Sequence, residues 1–257
     1  MASDRGVVLP PLEAWTAETL RLTAFYNPRT DIQELKWWEK VCPELPEQTT
    51  TRPRDGGYQS QGDLDKRRLV LSASFNRADW LLSPPEDGEP ALGVFPHAVS
   101  VFVEKMTLWL NSDQCPDLTR LAFGAVLLQP TEKRESGYEM LARYLPNVTF
   151  GPGASSDFLF QINRPREVSF GKEPYVINRL SKWSVELMKR VIMSPTTAPI
   201  DLRITEVPGQ TTYACRLELD INTPADLATT LPRALVADFL AGLVALGKEI
   251  AAKGDIK

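Results

Sequence analysis

Thr19-Leu20-Arg21-Leu22-Thr23-Ala24-Phe25-Tyr26 decides the class of fold. Leu20, Leu22, Ala24 and Tyr26 alternate with Arg21, Thr23 and Phe25, the two-residue period of a strand with one buried face. Asn27-Pro28 ends the run. Thr30 or Asp31 can then cap a helix reaching about Val41, because a side-chain oxygen there accepts an orphan first-turn N–H and Glu34 follows at capping-box distance. Ile32, Leu35, Trp38 and Cys42 share one face of that helix, and the area that Trp37 and Trp38 can bury marks them as core anchors.

Working outward, Leu69, Leu71, Ala73 and Phe75 alternate with Val70, Ser72 and Ser74, giving a second strand that continues toward Trp80-Leu81-Leu82. The stretch before it, Pro43 to Lys66, is polar and broken by Pro43, Pro46, Pro53 and Gly56-Gly57, which predicts a long exposed loop. Pro96 suits a first helical turn, and Val99, Phe102, Val103, Met106 and Leu110 follow at helical spacing. Leu121, Phe123, Ala125 and Leu127 read as a strand stopped by Pro130, and Ser136 as the cap of a short helix carrying Tyr138, Leu141 and Leu145. After a turn at Gly151-Pro152-Gly153, Phe158, Phe160 and Ile162 alternate as a strand.

Residues 176–193 fit both periods and are assigned to strand, because β-branched residues are frequent and strands flank them. Pro208-Gly209-Gln210 predicts the turn of a hairpin between 201–207 and 211–221, with Arg216, Glu218 and Asp220 on one face and Leu217, Leu219 and Ile221 on the other. A closing helix runs from near Thr230 to Ala252, ended by Lys253 and Gly254.

Residues 1–16, with Pro10-Pro11, read as an irregular arm. Residues 17–257 read as a single α+β domain of mostly antiparallel sheet packed against a few helices. Within it 17–113 and 117–254 each run strand, helix, further strands, closing helix, so the pattern predicts two intimately packed, pseudo-symmetric halves.

Composition narrows function mainly by exclusion. A net charge of −4 with scattered Lys and Arg lacks the field that drives binding to phosphate backbones. Lys66-Arg67-Arg68 is the best basic run, but Asp63 and Asp65 precede it, which favours a solvated loop. Cys42, Cys115 and Cys215 are odd in number, far apart and without CxxC spacing, so buried free thiols in a reducing compartment are expected rather than disulfides or a zinc site. No apolar run has signal-peptide length or spans 18 residues without a polar break, which predicts cytoplasmic location and no membrane.

His97 is the only histidine, so triads, histidine metal sites and histidine proton shuttles would all run through it. Beside Pro96 on an apolar helix it reads as an ordinary, partly buried imidazole. Neither GxxxxGK[ST], GxGxxG leading from strand to helix, nor HExxH occurs, and no cofactor is expected. Asp79 beside Trp80, Glu218 and Asp220 are the carboxylates worth weighing; Asp79 is expected to pair with Arg77, and the late-strand charges to face water. Six tryptophans, 21 prolines and several polar loops are raw material for a protein interface, with Tyr58, Lys66, Arg67 and Arg68 as contact candidates.

Arg68-Leu-Val-Leu-Ser-Ala-Ser-Phe-Asn-Arg-Ala-Asp-Trp80, Phe160-Gln-Ile-Asn-Arg164 and Leu217-Glu-Leu-Asp-Ile-Asn-Thr223 before the closing helix resemble a sporadically distributed family of uncharacterised bacterial proteins. The resemblance implies an accessory role in bacterial conflict, such as a component of an antiviral or CRISPR-linked defence operon, and assigns no catalytic residue. The expectation is a non-catalytic interaction or adaptor protein whose partner is another protein. Its rivals are an enzyme or small-ligand binder with a carboxylate-lined cleft between the halves, and a single-stranded nucleic-acid binder using Lys66 to Arg68.

Overall fold

The computed structural model describes residues 8–29, 36–52, 56–85, 91–150, 156–195, 202–225 and 229–255, with backbone alone at 189–195 and 202–211. The chain runs β1 (Thr16–Tyr26), α1 (Trp38–Val41), β2 (Gln48–Arg52), β3 (Gly57–Leu64), β4 (Arg67–Ser74), β5 (Arg77–Ser83) and α2 (Phe95–Asn111). It continues through β6 (Leu118–Thr131), α3 (Arg134–Tyr144), β7 (Leu159–Asn163), β8 (Arg166–Phe170), β9 (Glu173–Pro195), β10 (Leu202–Asn222) and α4 (Val236–Lys253). The fold is α+β: a ten-stranded antiparallel sheet in the order β2-β3-β4-β5-β1-β6-β10-β9-β7, with β8 also pairing with β9. The element order strand, helix, four strands, helix occurs twice, and β1 and β6, the first strand of each series, lie side by side at the centre. Among the described residues no helix is long and apolar enough to cross a membrane.

Alternation along the strands sorts the two faces. Leu71, Trp80, Leu22, Phe123 and Ile221 form one transverse rung across five strands, and all are fully buried. All four helices pack on that face. Trp38 of α1 stacks on Trp80, Trp109 of α2 meets Trp80 edge-on at 5.8 Å, Tyr144 of α3 stacks on Trp183, and Gly247 of α4 lies against Phe123 and Leu219. Each indole buried here contributes about 2–3 kcal/mol.

Several expectations change. Pro43 to Lys66 is not a long loop but holds the hairpin β2–β3, whose Gln-Thr-Thr-Thr-Arg strand is polar on both faces and so carries no alternation to read. The second strand does not continue to Trp80; it turns at Phe75-Asn76, leaving Phe75 half exposed, and returns as β5. Pro208-Gly209-Gln210 makes no hairpin turn: residues 202–222 are one strand, and the register shift between Glu206 and Thr211 absorbs those residues as a bulge against β9. Pro130 lies inside β6 opposite Ala214, and Ser136 inside α3, which begins at Arg134. Residues 176–193 are strand, as assigned. The expected cap at Thr30 or Asp31, with Ile32 and Leu35, and the turn at 151–153 lie outside the described residues.

Within 8–16, a single 3-10 turn at Leu12–Ala14 leads to Trp15, which is fully buried and donates its indole N–H to the Ala251 carbonyl at 2.9 Å. The end of α4 is fixed equally tightly. Gly254 has φ +78°, and a Cβ there would lie 2.1 Å from the Tyr144 carbonyl oxygen, whose other contact is a hydrogen bond from the Asp255 N–H. Backbone cannot yield as a flexible side chain would. Gly254→Ala is therefore expected to cost more than about 3 kcal/mol in urea unfolding, whereas Gly93→Ala, at φ +99° with open space around it, should cost about 1 kcal/mol.

Candidate functional site

The face of the sheet opposite the helices is built from the residues that alternate with the core set. On β1 these include Arg21 and Thr23, on β6 Ala122 and Gly124, on β10 Glu218 and Asp220, and on β9 Lys182. One rung reads Val70, Leu81, Arg21, Gly124, Asp220, Leu180, Asn163 from β4 to β7. The missing side chain at Gly124 leaves room for its neighbour: a Cβ there would lie 3.3 Å from Arg21 Nε. A trough of about 340 Å³ runs over this point across β5, β1, β6, β10, β9 and β7, lined by Arg21, Leu81, Leu180, Lys182, Glu218 and Asp220 among others.

Two charge clusters flank the trough. Arg216 is the hub of the first, paired with Glu218, with Glu186 at 3.2 Å and with Glu18 at 3.7 Å, while Lys182 reaches Glu218 at 2.9 Å. Burial pushes the Glu18 carboxyl above its ordinary range; Arg216 opposes that shift, and Glu186 and Glu218 add to it. In the second, Arg77 donates to both oxygens of Asp79 at 2.6 and 2.8 Å, and the Thr23 hydroxyl donates to the same carboxylate at 2.6 Å. That hydrogen-bonded carboxylate holds the Arg77 pKa above its usual value. Arg77 and Arg120 also lie over the Phe25 ring at 5.5 and 5.2 Å. Between the clusters, Arg21 makes no hydrogen bond or ion pair among the described residues.

Of the weighed carboxylates, Glu218 and Asp220 share a wall of the trough, but Asp79 is held by Arg77 and does not line it. Glu218 is already engaged by two cations and Asp220 accepts from Asn222 Nδ2 at 3.0 Å.

The expected contact residues do not form one patch. Tyr58 is half-buried at one end of β3, where its hydroxyl accepts from Ser60. Lys66 lies in the Asp65-Lys66 turn at the other end, both residues at positive φ, roughly 20 Å away along the strand. Arg67 reaches the Leu92 carbonyl and Arg68 pairs with Glu47. All six tryptophans are buried, because they fill the two aromatic clusters of the core, so none is an exposed interface aromatic. His97 is exposed on α2 rather than partly buried, and the three cysteines are free and buried.

The pairing also shows an arm that no motif announced. β9 and β10 are far longer than the five or six residues usual for a strand. β6 pairs with β10 only over Tyr213–Asn222, and β7 with β9 only over Leu180–Ser184. From Met188 and Thr212 out to Pro195 and Leu202, β9 and β10 pair only with each other among the described residues, a two-stranded ribbon roughly 25 Å long.

The sequence matches no protein-family model and no curated protein.

Replacing Arg216 with Met leaves Glu18, Glu186 and Glu218 facing one another without their shared cation. Glu18, whose folded pKa already exceeds its unfolded one, should then titrate higher still by NMR. A raised carboxyl pKa disfavours the fold above it and is relieved as pH falls through it. The variant should therefore lose on the order of 1 kcal/mol at pH 7 and recover most of that near pH 4.

Proposed function

We propose that this chain is a non-catalytic interaction protein that docks another protein on its β9–β10 ribbon and the adjoining charged face of the sheet. The ribbon carries the reading. A two-stranded hairpin is marginally stable by itself in water, and this one extends past every other strand to which the described chain pairs it. An arm of that kind gains most by being covered. The cluster of Arg216, Glu186, Glu218 and Lys182 supplies both signs of charge near its root, which favours a partner of matching pattern and disfavours the rest. A place beside a bacterial defence operon, the expectation from the family resemblance, is compatible with such an adaptor; gene neighbours would name the partner.

Replacing residues 190–210 with Asn-Gly joins Lys189 to its register partner Thr211 through a two-residue turn and removes most of the ribbon without touching either tryptophan cluster. The thermal midpoint should stay within about 3 °C, while the protein captured by the full-length chain from its source cells is lost. A full-length chain that purifies as a monodisperse monomer and captures nothing specific, or a shortened one that captures as before, would sink the proposal.

A second reading rests on the trough, whose volume of about 340 Å³ lies within the range of small-ligand pockets. A polar ligand there would lie over Gly124, so Gly124→Leu should abolish its binding in calorimetry while leaving capture by the ribbon intact.

A further inference from the structure

The buried transverse rung that starts at Leu71 ends on β9 at Arg179, opposite Ile221. A guanidinium there breaks the apolar pattern, and its side chain is only 1% exposed. Nε, Nη1 and Nη2 find no hydrogen-bond acceptor, and the Glu249 carboxylate, at 3.7 Å from Nη2, is too far to be one. Five N–H donors are thus desolvated. Burial first, and then the nearby Arg166 charge, lower the pKa of Arg179.

A small cavity opens beside it, lined by Arg164, Arg179, Ser181, Ile250, Gly254 and Asp255. The neighbouring carboxylates are already engaged. Asp255 accepts a two-pronged interaction from Arg164, and Glu249 is shared by Arg166 and Lys253. Of the cations around the cavity, Arg164, Arg166 and Lys253 each reach one of these carboxylates, and Arg179 is the one whose N–H groups meet no acceptor. Ser181 is oriented to help: its oxygen accepts the Trp183 indole N–H at 3.0 Å, which leaves the hydroxyl proton free to donate. The cavity volume is about 10 Å³, room for about one water-sized body. A water would meet some donors but bring no charge; among anions a carboxylate or phosphate exceeds the space by several atoms, whereas a single-atom halide, somewhat wider than water, asks the least adjustment of the walls.

We propose that this cavity is a halide site, in which chloride accepts hydrogen bonds from the Arg179 guanidinium and the Ser181 hydroxyl and so anchors the root of β9 to the end of α4. The full chain is compared in sodium chloride and in sodium gluconate at equal ionic strength, and crystals are grown in sodium bromide. Chloride should raise the thermal midpoint by about 2–4 °C, and bromide should give an anomalous peak within hydrogen-bonding reach of Arg179. Arg179→Met should lose both signals; should it fail to fold, Ser181→Ala, which removes one donor, should reduce the halide dependence. Equal midpoints in the two salts, no bromide peak beside Arg179, or an unchanged halide response in the variant that folds would overturn the assignment.

Discussion

The antiparallel pairing of β1 with β6 is the constraint on which the other elements depend. It joins two strands about a hundred residues apart in sequence, over ten residue pairs, into the middle of the sheet. A slip of one residue would carry Arg21 and Thr23 into the core and expel Leu20 and Leu22, so burial of one face fixes the register. Irregularities between Ala17 and Thr19 and between Phe25 and Tyr26 take up mismatch at the two ends and leave the centre regular. Trp15 strengthens the same seam. It precedes the first strand yet packs with Tyr144 and Trp183, and bonds to Ala251 at the end of the last helix. Contacts of such sequence separation tie the two series of elements to one another.

Once the register is fixed, each face follows from side-chain chemistry. The helix side takes the apolar set; the open side takes charges that satisfy one another, across strands as in Lys182–Glu218 and Arg216–Glu186, where opposite-sign pairs stabilise a sheet modestly, and along one strand as in Arg77–Asp79. Gly124 and Arg21 show how the two levels meet. Glycine at the centre of a strand weakens it, and here the missing Cβ leaves room for the Arg21 guanidinium to lie against the strand. Arg179 is the converse case, a charge on the apolar side, and a break in an otherwise consistent pattern is where a bound species is most worth seeking.

The same logic explains what could be read in advance. Strands with one buried face, such as β1 and β4, and helices with a broad apolar stripe, such as α2 and α4, follow from periodicity because burial imposes the period. The β2–β3 hairpin did not, since an edge strand of Gln, Thr and Arg buries little on either side. Proline and glycine misled at Pro208-Gly209, where a bulge in a long strand needs the same residues as a turn. The tryptophans suggested an interface only because their number exceeds what a small core holds; two aromatic clusters accommodate all six. Arg179 was legible in principle: Ile177, Ser181 and Trp183 share its parity and are all buried. The trough was not, because its walls come from six strands whose neighbours are set by pairing at long range.

Ribbon and buried arginine lie on one strand, which ties the two proposals together mechanically. β9 leaves the body after Leu187, eight residues beyond Arg179; Leu180–Ser184 are held by β7 on one side, and the whole stretch by β10 on the other. A desolvated guanidinium without acceptors would weaken that root, since each buried unsatisfied donor costs about 1–3 kcal/mol. Supplying an acceptor would hold β9 more firmly inside the body, nine residues before the arm begins at Met188, and a firmer base would restrict the directions in which the ribbon can point. Part of the ordering cost of binding a partner would then be met in advance, so the halide would favour association without touching the partner.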